Sequence, residues 1–207
     1  MFMDSGKFQK SMFKSESDQS HYMIPLMLDL SKSAVLVIGN GTVGQRKAAY
    51  FAGKAASLVI EDAVPENLGE AVSAFDFIIA ATASAEENER ICAVAAAQKK
   101  WYNSATEVGN FLIPAALFED TFTLALSTNG KAPAAASFLR DYIRENLPAF
   151  SAMVSLQETL RAELKETVTE QPRRAEILEA ILADESVWKA LEAGDFAGAL
   201  AVSRRYM

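Results

Sequence analysis

Six consecutive residues, Gly39-Asn40-Gly41-Thr42-Val43-Gly44, carry the clearest chemical pattern in the chain. They follow an apolar run, Ala34 to Ile38, and open a segment that reads as a helix. In that context a Gly-x-Gly-x-x-Gly loop reads as a dinucleotide site. The first glycine permits the tight turn, the second lets the backbone approach a pyrophosphate, and the third lets helix and strand pack closely. The free N–H groups and positive dipole end of the helix then face the anion. Asn40, Thr42 and Val43 lie within the loop and join the three glycines as cofactor-binding candidates. Glu61 stands 22 residues after Gly39, at the end of a second apolar run, Ser57 to Ile60. An acid at that distance grips a ribose hydroxyl pair, and its charge repels a 2′-phosphate, so the pattern favours NAD over NADP. Asp62, next in the chain, is the alternative for that role. A glycine turn without any nucleotide is the plainer reading of the same residues.

The elements that must position this loop are legible from pattern. A chain of 207 residues, 50% hydrophobic and 23% charged, is long enough for one large or two small domains with a buried core. Residues 1–22 form a polar leader with Lys7, Lys10 and Lys14 and without the apolar middle of a signal peptide. No apolar stretch approaches the length of a membrane span, so a cytoplasmic location without membrane association is expected. A net charge of −7 argues against non-specific nucleic-acid binding. The single cysteine, Cys92, excludes an internal disulfide and a cysteine-cluster metal site, and reads as a small core residue. From Ala34 the elements alternate: strand 34–38, helix 43–53, strand 57–60, short helix 65–74, strand 75–81, helix 85–99, strand 101–104. That alternation implies a parallel sheet covered by helices. Phe111 to Leu117 and Thr121 to Ser127 then read as two extended runs around Phe118-Glu119-Asp120, with Pro114 confining the first to an edge. Ala134 to Asn146 reads as a helix closed by Pro148. Amphipathic helices follow from about Phe150, with breaks at Gln171-Pro172 and Gly194-Asp195.

With those elements in place, a wider set of residues resembles a known family. They are Pro25-Leu26-Met27-Leu28-Asp29-Leu30, the Gly39 to Gly44 loop running into Arg46-Lys47-Ala48, Ala80-Ala81-Thr82 followed by Asn88, and Asn103. Phe111-Leu112-Ile113-Pro114-Ala115 and Leu126-Ser127-Thr128-Asn129-Gly130-Lys131-Ala132-Pro133 complete the set. Together they are similar to the precorrin-2 dehydrogenase and sirohydrochlorin ferrochelatase family, a module also fused to a methyltransferase in larger siroheme synthases. The match runs from about Pro25 to Pro148 and continues more weakly to the end. The resemblance implies an α/β fold with a Rossmann-like parallel sheet, a small α+β dimerisation region and a C-terminal helical domain. The corresponding expectation is a leader at 1–22, an NAD-binding domain at 23–112, a dimerisation region at 113–149 and helices at 150–207. It further implies a homodimer that oxidises the tetrapyrrole precorrin-2 to sirohydrochlorin with NAD as cofactor, and in some members inserts ferrous ion. Thr82 joins the cofactor candidates on the same basis, and Asn103, Ser127, Thr128, Asn129, Gly130 and Lys131 form the substrate-binding set.

Two departures bear on the chemistry. The family pattern places an aspartate three residues after the asparagine that closes the fourth strand, where this chain has Thr106. The loop is also about two residues shorter, which makes Glu107 the candidate catalytic acid, with a solvated loop acid as the alternative. Only 14 residues stand between Ile60 and Phe75, where the family has a further strand, so a smaller sheet is expected on that side. A tetrapyrrole rich in carboxylates calls for cations, and Arg46, Lys47, Lys131, Arg140 and Arg144 lie near the glycine loops or on the helix after Gly130. Taken singly each also fits a solvated surface, and Lys131 is the foremost candidate. Ser127 and Thr128 either bind substrate or bond their own turn. Phe111, Phe118 and Phe122 fit a macrocycle pocket or, more simply, core. The only histidine, His21, lies in the leader, so no histidine cluster holds a metal. The readings that compete with the dehydrogenase are a non-enzymatic NAD(H)-binding regulator and a tetrapyrrole chelatase without dehydrogenase activity.

Overall fold

Four strands, Ala34–Ile38 (β1), Ser57–Glu61 (β2), Phe77–Ala80 (β3) and Trp101–Ser104 (β4), form a parallel sheet of order β2-β1-β3-β4 in a computed structural model that describes residues 23–207. The leader and His21 fall outside the described residues. β1 (AVLVI) and β3 (FIIA) are the two inner strands and are buried along nearly their whole length. Continuous apolar runs are what a strand covered on both faces requires. The edges are more polar: β2 ends in Glu61, and β4 reads Trp-Tyr-Asn-Ser. Register pairs Ile38 with both Glu61 and Ala80, and Ala80 with Ser104, so the carboxyl ends of all four strands line up. The chain leaves β1 for β2 on one side and returns to β3 on the other. That reversal is where ligands bind on open α/β sheets.

Helices Thr42–Phe51 (α1), Leu68–Ser73 (α2) and Ala85–Ala97 (α3) connect these strands. Leu36, Ile38, Ile78 and Ala80 project from the sheet onto Leu68 and Val72 of α2 and Ile91 and Ala95 of α3. Cys92 lies half-buried at the rim of this core rather than inside it. α3 begins with Ser84 accepting from Glu87 N, and Glu86 and Glu87 occupy its first turn, where the dipole favours acids. Only α2 separates β2 from β3, which is the smaller sheet expected from the short 61–74 connection. The open edge of β4 is covered by Asn110, whose Oδ1 accepts from Tyr102 N at 2.7 Å while its Nδ2 donates to Lys100 O at 2.9 Å. One side chain thus imitates the next strand and closes an edge that would otherwise recruit another chain. This unit ends at Leu112.

The second unit, Ile113–Met207, starts with an antiparallel hairpin, Ala115–Phe118 (β5) and Thr123–Leu126 (β6). Pro114 stands just outside β5, and Phe118 pairs with Thr123 inside the hairpin instead of lying in the turn. The helix Pro133–Asn146 (α4) packs on both strands. Four α-helices, Phe150–Thr167 (α5), Gln171–Leu182 (α6), Glu185–Glu192 (α7) and Phe196–Ser203 (α8), and a short 3-10 helix, Arg204–Tyr206, complete the unit. Met153, Leu156, Leu160 and Leu164 recur every three or four residues along α5 and meet Ile177, Ile181, Val187, Leu191 and Ala199 in one core. Gln171-Pro172 opens α6 rather than only interrupting a helix, since proline suits a first turn. An additional break falls at Asp184, whose carboxylate caps α7 at Ser186 N. Phe111 in the first unit meets Phe77 edge-on at 5.6 Å, and Phe122 in the second meets Phe150 edge-on at 4.9 Å, so both rings serve packing.

Candidate functional site

The glycine loop sits at the carboxyl end of β1, and its three glycines meet different surroundings. Gly39 has φ +109°, and a Cβ there would lie 2.2 Å from the Ala81 carbonyl oxygen. A Cβ at Gly44 would lie 1.8 Å from the Gly39 carbonyl oxygen, so the helix can approach the strand only without a side chain. Gly41 has nothing within 4 Å of such an atom. It is also the N-cap of α1, with no side-chain cap and no acid in the first turn. A bare, uncapped helix start facing open space is the feature an anionic diphosphate needs. These residues therefore fit a dinucleotide: two glycines close the turn, and the third leaves room above it.

The residues around the loop are tied to it. Gly39 N donates to Glu61 O at 2.8 Å, which brings the end of β2 against the loop. Asn40 Nδ2 donates to Asp62 Oδ1 at 2.8 Å, and Gln45 Nε2 reaches Asn40 Oδ1 at 3.4 Å. Asp62 is thus oriented by the loop, while Glu61 closes β2 with an exposed side chain. Thr42 and Val43 are exposed in the first turn of α1. Thr82, after β3, is locked by Asn88: Thr82 N and Oγ1 donate to Asn88 Oδ1 at 2.9 and 3.0 Å, and Asn88 Nδ2 returns to Thr82 O at 3.2 Å. Asn88 is fully buried with these bonds made, which fixes the β3–α3 turn beside Gly39.

β4 ends in a tied loop, residues 105–110. Ser104 Oγ accepts from Thr106 N at 3.1 Å and Glu107 N at 3.2 Å, and Ala105 N donates to Ala80 O at 2.8 Å. At the other end Asn110 N donates to Tyr102 O at 3.0 Å, and Gly109 packs where a Cβ would lie 2.2 Å from that same oxygen. Glu107 is exposed near the tip. Asn103 is buried, and both ends of its amide are engaged: Nδ2 donates to Phe111 O at 3.0 Å, and Oδ1 accepts from Lys47 Nζ. Lys47 Nζ donates also to Ser104 O at 2.7 Å. Burial, then the neighbouring Arg46 charge, push its ammonium down to about 8 from an ordinary 10.5. Burial likewise pushes the Cys92 thiol up. Lys47 is therefore a half-buried, hydrogen-bonded cation rather than a free surface one. In the sequence it is marked only as part of the family segment Arg46-Lys47-Ala48 and as one of five candidate cations, and neither signal shows its partners.

In the second unit, Asn129 and Gly130 take positive φ, 54° and 77°, in the turn before α4. Ser127 Oγ accepts from Asn129 N at 3.1 Å and Thr128 Oγ1 from Ala132 N at 3.0 Å, so both hydroxyls bond their own turn. Lys131 is exposed. Asp141 binds both Arg140 and Arg144, at 2.7 and 3.0 Å, which neutralises part of that cationic pair. In the first unit, a hollow of about 440 Å³ lies against Leu28, Asp76, Lys99 and Trp101, at the end of the sheet opposite the glycine loop. Among the described residues no group of three or more His, Cys, Asp or Glu side chains is placed to hold a metal ion.

The family NAD_binding_7, described as "Putative NAD(P)-binding", matches residues 26–115. A precorrin-2 dehydrogenase of Methanosarcina barkeri is 32% identical over 195 residues, covering 82% of this chain and 87% of that protein. A siroheme synthase of Tolumonas auensis is 27% identical over 210 residues, covering 84% of this chain and 45% of that longer protein. Among solved structures, SirC, a precorrin-2 dehydrogenase, superposes with a TM-score of 0.64 at 23% identity, over 89% of this chain and 100% of its own. That likeness establishes a shared fold.

Proposed function

The chain belongs to the precorrin-2 dehydrogenase family, and from that membership we propose that it oxidises precorrin-2 to sirohydrochlorin with NAD+. The observation that carries the reading is the relative that matches along nearly nine-tenths of its own length, with an unobstructed Gly41 at the start of α1. When bound, the nicotinamide accepts a hydride from the substrate, so the cofactor supplies the hard step. The chain's residues then have two tasks, to hold the reactants in register and to accept a proton. The N–H groups at Gly41, Thr42 and Val43 hold the diphosphate, and Asp62 or Glu61 holds the ribose and repels a 2′-phosphate. Glu107 takes the proton released with the hydride, its carboxylate becoming a carboxylic acid. Lys131 offers a cation to a substrate carboxylate.

Iron insertion is a separate step in this reading. The ion would be held by the tetrapyrrole's own pyrrole nitrogens, with Glu107 assisting their deprotonation. A homodimer accords with the exposed apolar surface of α4, where Phe138 and Tyr142 are 71% and 53% exposed and stack on one another. We place the reaction in the cytoplasm. Among the described residues no helix is long and apolar enough to cross a membrane.

The test is an anaerobic assay with precorrin-2 and NAD+, following NADH and the sirohydrochlorin spectrum in wild type and Glu107→Gln. Turnover in wild type with loss in the variant is the expected result. No turnover with NAD+ binding intact overturns the dehydrogenase, and adding ferrous ion to sirohydrochlorin then tests a dedicated chelatase.

A further inference from the structure

Lys47 stands on α1, while both of its hydrogen-bond acceptors lie 56 and 57 residues further on at the end of β4. The asparagine it meets could present either end of its amide. An ammonium has donors only, so it draws the oxygen of Asn103 to itself and leaves the NH2 end for Phe111 O. The second donor holds the Ser104 carbonyl, one residue before loop 105–110, while Ser104 Oγ holds Thr106 N and Glu107 N. Both stems of the loop thus trace back to one side chain: Ser104 at its start, and Phe111, through Asn103, at its end.

We propose that Lys47 is a positioning residue for the dehydrogenation, bracing Asn103 and Ser104 so that loop 105–110 presents Glu107 in a fixed place. The proposal rests on the reading that Glu107 receives the proton. The acceptors are buried, so removing the donor leaves them without a partner, and the loop gains freedom at both ends. The brace also titrates. The groups that bear on the ammonium are Arg46, next to it on α1, and Cys92 of α3, while the Glu107 carboxylate bears on that same thiol. As pH rises through about 8 the amine loses its charge, its hydrogen bonds lose their charge assistance, and the loop loosens.

Lys47→Met, Lys47→Arg and Asn103→Asp are compared with wild type. In Lys47→Met, kcat falls about ten- to a hundredfold, the cost of a misplaced group, while the NAD+ Kd is retained and the unfolding midpoint drops only by what the two unpartnered acceptors cost. Arginine, which keeps its charge and its donors at all accessible pH, restores most of kcat and removes the decline expected in wild type above pH about 8. Asn103→Asp places a carboxylate against the ammonium and moves that decline to higher pH. Backbone hydrogen exchange of residues 105–110, measured without substrate at one pH, speeds up in Lys47→Met and not in Lys47→Arg. A wild-type kcat in Lys47→Met overturns the proposal, as does a loss of NAD+ affinity as large as that of kcat, which marks a merely structural role. If Lys47→Met does not fold, an unshifted alkaline limb in Asn103→Asp overturns it. Should wild type itself lack turnover, the dehydrogenase reading fails, and the exchange rates still decide whether Lys47 holds the loop.

Discussion

Substituting alanine for Gly41 and for Gly44 separates binding from packing within one loop. At Gly44 the added Cβ falls 1.8 Å from the Gly39 carbonyl oxygen, about half of an ordinary contact distance. Both atoms belong to backbone, so no side chain can swing aside, and the β1–α1 turn must move by more than an ångström. Overpacking of this kind costs about 3 kcal/mol, at the upper end of its usual range. At Gly41 the added Cβ meets nothing within 4 Å, and φ is an ordinary −73°. There the lower conformational entropy of the unfolded chain offsets the poorer N-cap, which leaves stability within about 1 kcal/mol of wild type. The methyl group instead occupies the space next to the uncapped N–H groups. Displacing the diphosphate from one charge-assisted hydrogen bond removes about 1.5–3 kcal/mol, or roughly ten- to more than a hundredfold in affinity. Urea unfolding followed by circular dichroism measures the first quantity, and calorimetric titration with NAD+ the second. Gly44→Ala is expected to lose stability, and Gly41→Ala to lose NAD+ affinity while unfolding as wild type does. Wild-type NAD+ affinity in Gly41→Ala would refute the loop as the diphosphate site. Wild-type stability in Gly44→Ala would refute the close approach.

Asn88→Ala leaves Thr82 N and Thr82 O without their side-chain partners and is expected to destabilise the first unit by about 2–3 kcal/mol in urea unfolding. Leu160→Ala empties a fully buried position among the α5–α8 helices and should cost about 2–5 kcal/mol by the same measurement. Asp62→Asn removes a charge held beside the loop by Asn40, and the ratio of NADP+ to NAD+ affinity is expected to rise roughly tenfold in calorimetric titrations. The folded chain holds Lys47 near 8 and the unfolded chain near 10.5, so the unfolded state binds more protons between those values. The Lys47 contribution to stability therefore rises with pH across that window, and Lys47→Met should flatten the rise in denaturation curves taken from pH 7.5 to 10. Turnover in wild type is expected to fall over the same window, so stability and activity should move in opposite directions.

The strands and the glycine loop were legible because their signals are local. Ala34 to Ile38 is apolar at every position, as a strand covered on both faces must be, and Gly39 to Gly44 are consecutive. Family residues such as Asn103 and Thr82 were legible as positions, yet what they do depends on partners. The sequence placed Asn103 among substrate ligands, while the fold buries it and engages both ends of its amide. In the sequence Lys47 is one of five candidate cations, behind Lys131. Only the tertiary structure distinguishes it, because burial and acceptors 56 and 57 residues away set its charge and its partners. Phe118 looked like a turn residue until the hairpin register paired it with Thr123. By itself the sequence determined the order of elements, the dinucleotide loop and the family, since each of these is written in neighbouring residues. Which glycine packs and which stays open, which acid the loop orients, and which lysine braces the β4 loop were decided by contacts between distant segments. Those depend on desolvation and on the close approach of backbones, and neither exists until the chain has folded.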